Sequence, residues 1–363
     1  MSFRTYRIPA IVLMCVACIG YADAQKHHTK TAVTFLTKVQ ARKAIVDDSL
    51  EPYFDQLQPM EMSAKTGTPI IGATIEQKRT QCRQRYQKGV LAFSKPQQDA
   101  IQWCIDKLTP VLVESYPLIG NMAWSFIKVS DNIEGGLPHT RGKHIVLSES
   151  LCRQLETIKD LPPERMAHLG ILQLLAHEQF HVFQRTHPGF CDSLYTDLWG
   201  FEKAETITGC NWLTKHHLAN PDAVACQWIL PVKQANATTY LWPLAVFAEG
   251  DRVKTMPFDF RMIAISVTKQ KKTFTVKLTE DNKPVFTDLQ QTPAFRALFP
   301  LTSDIYHPDE ASADMFGTLI LFDSFIPEGT LPLPKKNAME RQLAPLRKWL
   351  INNCKNPTKT SSN

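Results

Sequence analysis

Beyond residue 24, this 363-residue sequence has no apolar run that approaches bilayer-spanning length, so no integral membrane association is expected of that part. It has no Cys-x-x-Cys pair either, which removes the usual signature of a structural zinc knuckle or a thioredoxin-like redox centre. No block of Lys and Arg is interleaved with stacking aromatics, and the formal charge of +6 is modest for the length, so no nucleic-acid partner is expected. The densest basic cluster, "KQKKTF" at 269–274, reads as a solvated hairpin tip. Internal repeats and low-complexity segments are also missing.

The long apolar run that does exist lies at the start. Arg4 and Arg7 precede "IPAIVLMCVACIGY", which is followed by "ADA", with Ala22 and Ala24 where a signal peptidase needs small residues. Residues 1–24 are therefore expected to be a cleavable secretory signal, giving a secreted or periplasmic protein. Cys18 lacks the preceding leucine of a lipoprotein site. Of nine cysteines, Cys15 and Cys18 leave with the signal. The remaining seven predict up to three disulfides in an oxidising compartment, with at least one thiol free.

Periodicity divides the rest into an N-terminal helical region, 25–122, and a mixed region, 123–363. Spaced apolar residues run through "TAVTFLTKVQARKAIVDDSLEPYFDQL", "MEMSAKTGTPI" interrupts them, and helical patterning resumes in "QKRTQCRQRYQKGVLAF" and "QQDAIQWCIDKL". "AWSFIKVS" and "KHIVLS" read as strands separated by "NIEGGLPHTRG". One long helix is expected from Pro162 to the stop at Pro188-Gly189. A helix around 199–217 follows, then a loop-rich tract holding Pro221, Pro231 and Pro243. Strands "FRMIAISVT" and "KTFTVKLT", a turn at "EDNKP", and helices in "HPDEASADMFGTLILFDSF" and "NAMERQLAPLRKWLINN" complete the chain. The fold class predicted is α+β, a small mixed or antiparallel sheet beside a helical body.

The chemistry is concentrated in "LLAHEQFHVF". On a helix, residues four apart stack along one face, so His177 and His181 can offer nitrogens to one ion. Glu178 points about a hundred degrees away, unsuited to join them but able to reach a water on the ion as general base. A catalytic zinc needs a third protein ligand and an open position. His187 has the spacing of a third histidine, but Gln184 stands where that ligand set needs a turn-making glycine. Glu202 and Glu205 suit a following antiparallel helix. Glu310, in "HPDEASADMFG", is preferred, because Asp314 one turn on can receive the free N–H of a ligand histidine and fix its tautomer.

"HEQFH" with "EASAD" resembles the zinc signature of the gluzincins, the thermolysin-like metallopeptidases, and a group of secreted bacterial proteins carrying the same pair. The resemblance implies a zincin-like fold, one zinc per chain held by His177, His181 and Glu310, Glu178 as catalytic base and Asp314 as partner of one histidine. It covers two helices. The 129 residues from His181 to Glu310, against about twenty in thermolysin-like enzymes, leave a long insertion at 190–305 to form the substrate pocket.

The expected activity is hydrolysis of peptide or protein substrates, as an endopeptidase rather than an exopeptidase. Tyr306 and His307, immediately before the Glu310 helix, and the more distant Tyr240 are candidate donors to the carbonyl oxygen as charge develops on it. His307 has a second reading, as a cap for the Glu310 helix. The segment "GGLPHTRGKHIVLS" at 135–148 is expected to supply a sheet edge that holds an extended peptide. The alternative is an inactive secreted protein that keeps zinc for stability or partner capture.

Overall fold

The computed structural model describes residues 31–159, 166–234, 237–247, 256, 259–302 and 306–354. The expected signal at 1–24 and the helix start at Pro162, Pro163 and Glu164 lie outside them.

The chain enters as strand β1 (Val33–Phe35), not as a helix, because Thr and Val alternate there before Thr37 starts a capping box with Gln40. Helices α1 (Lys38–Ala44), α2 (Tyr53–Gln56), α3 (Pro59–Thr66) and α4 (Ile75–Gly89) follow. The supposed interruption at "MEMSAKTGTPI" is helix α3: Glu61 accepts from the Gln58 amide at its start, and Gly67, at φ 63°, ends it. Strand β2 (Val90–Leu91) leads to α5 (Lys95–Ser115), capped by Ser94 and Gln97, and α6 (Pro117–Gly120).

Strands β3 (Trp124–Val129) and β5 (His144–Ser148) appear where the sequence has its β signals, β4 (His139–Arg141) forms inside the segment read as their separator, and helices α7 (Glu149–Lys159) and α8 (Met166–Thr186) come next. The first sheet has the order β1-β3-β5-β4, with β2 also on β3; β1, β3 and β5 are parallel, and β4 runs antiparallel at the edge. It takes strands from both sides of residue 122. Alternate residues serve two cores: Phe126, Ile145 and Leu147 pack toward α5 and α8, while Ile127, Val129 and Val146 pack toward α1–α4.

After α8 come α9 (Pro188–Ser193), β6 (Glu202–Lys203), β7 (Thr206–Thr208) and α10 (Asn211–His216). The single helix expected over 199–217 is mostly absent: Gly200 turns at φ 74°, and the β-branched Thr-Ile-Thr of β7 pairs with a later strand. The tract expected to be loop-rich carries β8 (Trp228–Gln234) and β9 (Ala237–Phe247); β10 (Phe260–Gln270) and β11 (Thr273–Val276) are the strands expected from "FRMIAISVT" and "KTFTVKLT", and β12 (Phe286–Asp288) follows. Pro231 lies in β8 opposite Tyr240, and Pro243 lies in β9 opposite Ala264. "KQKKTF" forms the β10–β11 hairpin, with Lys271 at φ 56° in its turn. Helices α11 (Pro293–Leu298), α12 (Pro308–Ser324) and α13 (Leu333–Cys354) close the fold. The architecture is mixed α/β, with a second sheet larger than the small one expected.

Two features bring α12 onto α8. Ala311, Ser312 and Ala313 are fully buried small residues, and Gly317 admits the backbone of α8, since a β-carbon there would sit 2.8 Å from the Gln173 carbonyl oxygen. Gln173 then donates to the Thr318 hydroxyl at 3.1 Å. The two sequence motifs face each other across this contact.

All seven described cysteines are free thiols, so the expected disulfides are not formed; Cys82, Cys104, Cys152, Cys191 and Cys354 are buried, and Cys210 and Cys226 are partly exposed. Among the described residues no helix is long and apolar enough to cross a membrane.

Candidate metal centre

His177 and His181 project from α8, and Glu310 projects from the first turn of α12. His307 caps that helix, accepting from the Asp309 amide at 3.1 Å, and Pro308 follows at the first helical position. The two histidine Nε2 atoms are 2.9 Å apart, and Glu310 Oε2 lies 3.6 Å from His177 Nε2 and 3.5 Å from His181 Nε2. Donor atoms of a tetrahedral zinc site with bonds of about 2.0–2.1 Å lie about 3.3 Å apart, so the triangle fits. Two imidazoles and one carboxylate also make the donor set of a catalytic zinc with one open position. The structure therefore brings together one group of residues able to hold a metal ion, His177, His181 and Glu310.

The three ligand orientations are set by other residues. His181 Nδ1 is 2.7 Å from Gln184 Oε1, one helical turn on, and the Gln184 amide donates to the Tyr195 hydroxyl and the Asp309 carbonyl, each at 2.9 Å. Gln184 thus does what the sequence assigns to Asp314, which is partly buried and makes no hydrogen bond to His177 or His181. The physical reason is position: Gln184 lies on the same helix as His181 and is clamped from two sides. On the far side, Asn220 Nδ2 donates to Glu310 Oε1 and to the Tyr306 hydroxyl, while Asn220 Oδ1 accepts from the Asp222 amide at 2.9 Å. One Glu310 oxygen is taken by Asn220 and the other is left facing the histidines.

Glu178 is 2 % exposed, and its Oε2 has no hydrogen-bond partner. Burial and the nearby Asp222 carboxylate push its acid up to about 8. For His181, burial disfavours the charge, but Glu310 and Asp222 override it and push the imidazole up to about 10. Burial also opposes charge on Glu310, yet His181 and His177 hold it well below the usual carboxylate range.

Other sequence candidates are elsewhere. The α8 helix runs to Thr186, so His187 lies past its end, stacked on Phe183 and with Nδ1 3.0 Å from the Thr186 hydroxyl. Glu202 pairs with Lys269 and Glu205 with Lys272. Tyr240 packs against Phe274 and Lys269 in the second sheet. His307 has both ring nitrogens engaged, Nδ1 by the Asp309 amide and Nε2 by the Ala225 carbonyl at 3.3 Å, which makes it a capping residue rather than an oxyanion donor. Tyr306 alone of the donor candidates reaches the site, through Asn220.

Asn220 and Asp222 escape sequence reading. "ANPDA" offers only a turn signal, with nothing to say which element the turn will meet. Gln184 was legible in principle, being three residues beyond His181 on the same helix. Compared with protein-family models, curated proteins and solved structures, the chain matches none.

Proposed function

We propose that this centre is that of a zinc-dependent peptidase, with His177, His181 and Glu310 as the metal ligands and Glu178 as the general base. The observation that carries the reading is the conjunction of an open three-donor triangle with a buried carboxylate whose oxygen is unpartnered. A closed structural site has no use for that carboxylate. The fold proposed is zincin-like, supported by two crossing motif helices under a mixed sheet with an antiparallel edge strand.

A zinc ion at these ligands supplies a Lewis acid beside which water ionises near neutral pH and a carbonyl is polarised. The chain's own residues do the rest. Glu178 takes the proton of the attacking water and returns it to the leaving nitrogen. Burial and Asp222 leave Glu178 largely protonated at neutral pH, which opposes the first step, and a dication at the three ligands would favour its carboxylate. The Tyr306 hydroxyl is the donor we assign to the developing oxyanion, supported by its contact with Asn220 beside Glu310. The apolar N-terminal run supports export.

Elemental analysis of the chain from residue 25 tests the reading. We expect about one zinc per chain, lost in Glu310→Ala. Glu178→Gln should keep the zinc and lower peptide turnover by at least about a hundredfold. A parent protein that takes up no zinc overturns the proposal.

A further inference from the structure

Five consecutive residues beside the metal centre are each tied to a different part of the fold. The Leu218 amide donates to the Ala245 carbonyl in β9 at 3.0 Å, and the Ala219 amide to the buried Glu61 of α3 at 2.8 Å. Asn220 holds Glu310 of α12, as described. The Pro221 carbonyl accepts from Arg185 Nη2 of α8 at 2.8 Å. Asp222 Oδ1 accepts both the amide and the hydroxyl of Thr140 in β4, each at 2.6 Å. Segment 218–222 is a strap across the site.

The last tie bears on substrate. In the β4–β5 hairpin Arg141 pairs with His144 and His139 with Val146, so the amide of Thr140, between them, points outward from the sheet. That amide is what a peptide laid along β4 would use, and Asp222 already occupies it. Arg185 Nη1 likewise takes the Gly142 carbonyl at 3.1 Å, and the Thr140 hydroxyl at 2.5 Å. Within 135–148, the segment anticipated as an edge, β4 is the edge strand and β5 lies inside the sheet between β3 and β4. The outward amide of β4 is therefore taken at this point, and β5 presents no edge.

The closure is rigid. Asp222 and Asn220 are locked together by the turn in which the Asp222 amide donates to Asn220 Oδ1. Lifting Asp222 from Thr140 therefore pulls Asn220 from Glu310 and disturbs the third metal ligand. A substrate that opened this edge would disable the centre it came to use.

We infer that this site takes peptides end-on, as short peptides or free chain termini, and not as a strand added along β4. The inference rests on the peptidase reading and narrows it against the endopeptidase expected from sequence. A long chain gains no backbone hydrogen bonds here, so length brings no gain in kcat/KM, and blocked ends remove the part of the substrate that can enter.

The test uses the zinc-loaded chain from residue 25 and peptides of about four and about twenty residues, with free ends or with acetylated and amidated ends, read by mass spectrometry. Free short peptides should be cut, and long free peptides should be cut close to an end. Blocked long peptides should be slower than free short ones by about a hundredfold, because neither capped end can enter. Internal cleavage of blocked long peptides at the rate of short ones overturns the inference. If zinc binds but no peptide is cut, the peptidase reading fails by itself. Amide hydrogen exchange then judges the closed edge: a strongly protected Thr140 amide is expected, and exchange at the rate of an unpaired amide overturns the closure whatever the activity.

Discussion

At the scale of single residues, the centre depends on a carboxamide. Asn220 donates to one oxygen of Glu310, so the other turns toward the histidine nitrogens. Such partners typically govern ten- to a hundredfold in metal affinity. Asn220→Ala should weaken zinc by about that factor in competition with a chromophoric chelator. An unchanged affinity would mean that α12 alone positions Glu310. Protons give a second handle. With His181 pushed up to about 10, the metal-free site holds a proton there at neutral pH, and zinc must displace it. Apparent affinity should therefore rise between about pH 6 and 8, roughly tenfold per unit for each proton released. Calorimetry in buffers of different ionisation enthalpy counts those protons, and a count of zero contradicts the assignment. The sign for stability is opposite: the charged His181–Glu310 pair supports the metal-free fold in full below the unfolded imidazole value and is lost as pH rises through about 10.

Among elements, the α8–α12 contact sets how far apart the two motifs stand. A β-carbon on Gly317 meets the Gln173 carbonyl at 2.8 Å, and backbone cannot swing aside as a side chain can. Gln173 is one turn before His177, and Glu310 is two turns before Gly317, so separating the helices at this contact widens the triangle. Gly317→Ala should cost about 1–3 kcal/mol of stability and weaken zinc binding as well, read by melting with and without metal. A stability loss with affinity intact would show that the site tolerates helix separation. This scale also explains what the sequence revealed. His177, Glu178, His181 and Glu310 were legible because their relation is a helical repeat or the start of a capped helix. Asn220 was not, because its role arises when a loop crosses from the second sheet, and Pro231 and Pro243 disguised the strands that carry that loop. The β-branched "TIT" at 206–208 was misread for a similar reason, since its partner strand comes some seventy residues later.

For the whole molecule, the cysteines bear on how the fold is held together. The expectation of export predicted disulfides, yet all seven described thiols are free, although Cys104, Cys152, Cys191 and Cys354 share one core. Stability is then left to apolar burial on both faces of the first sheet and to buried polar ties such as Glu134, which accepts from Lys65 at 2.8 Å and from the hydroxyls of Tyr53 and Tyr86. Burial also pushes Cys104, Cys152, Cys226 and Cys354 up to about 12, so little thiolate exists to react. The chain from residue 25 should accordingly show no more than the two partly exposed thiols, Cys210 and Cys226, to a thiol reagent when native, and all seven when unfolded. A reducing agent should leave its melting temperature unchanged. Fewer than seven thiols in the unfolded chain, or a melting temperature that falls on reduction, would place a disulfide in the protein. Segments now packed through free cysteines, among them α5, α9 and α13, would then have to shift to bring two sulfurs within bonding reach.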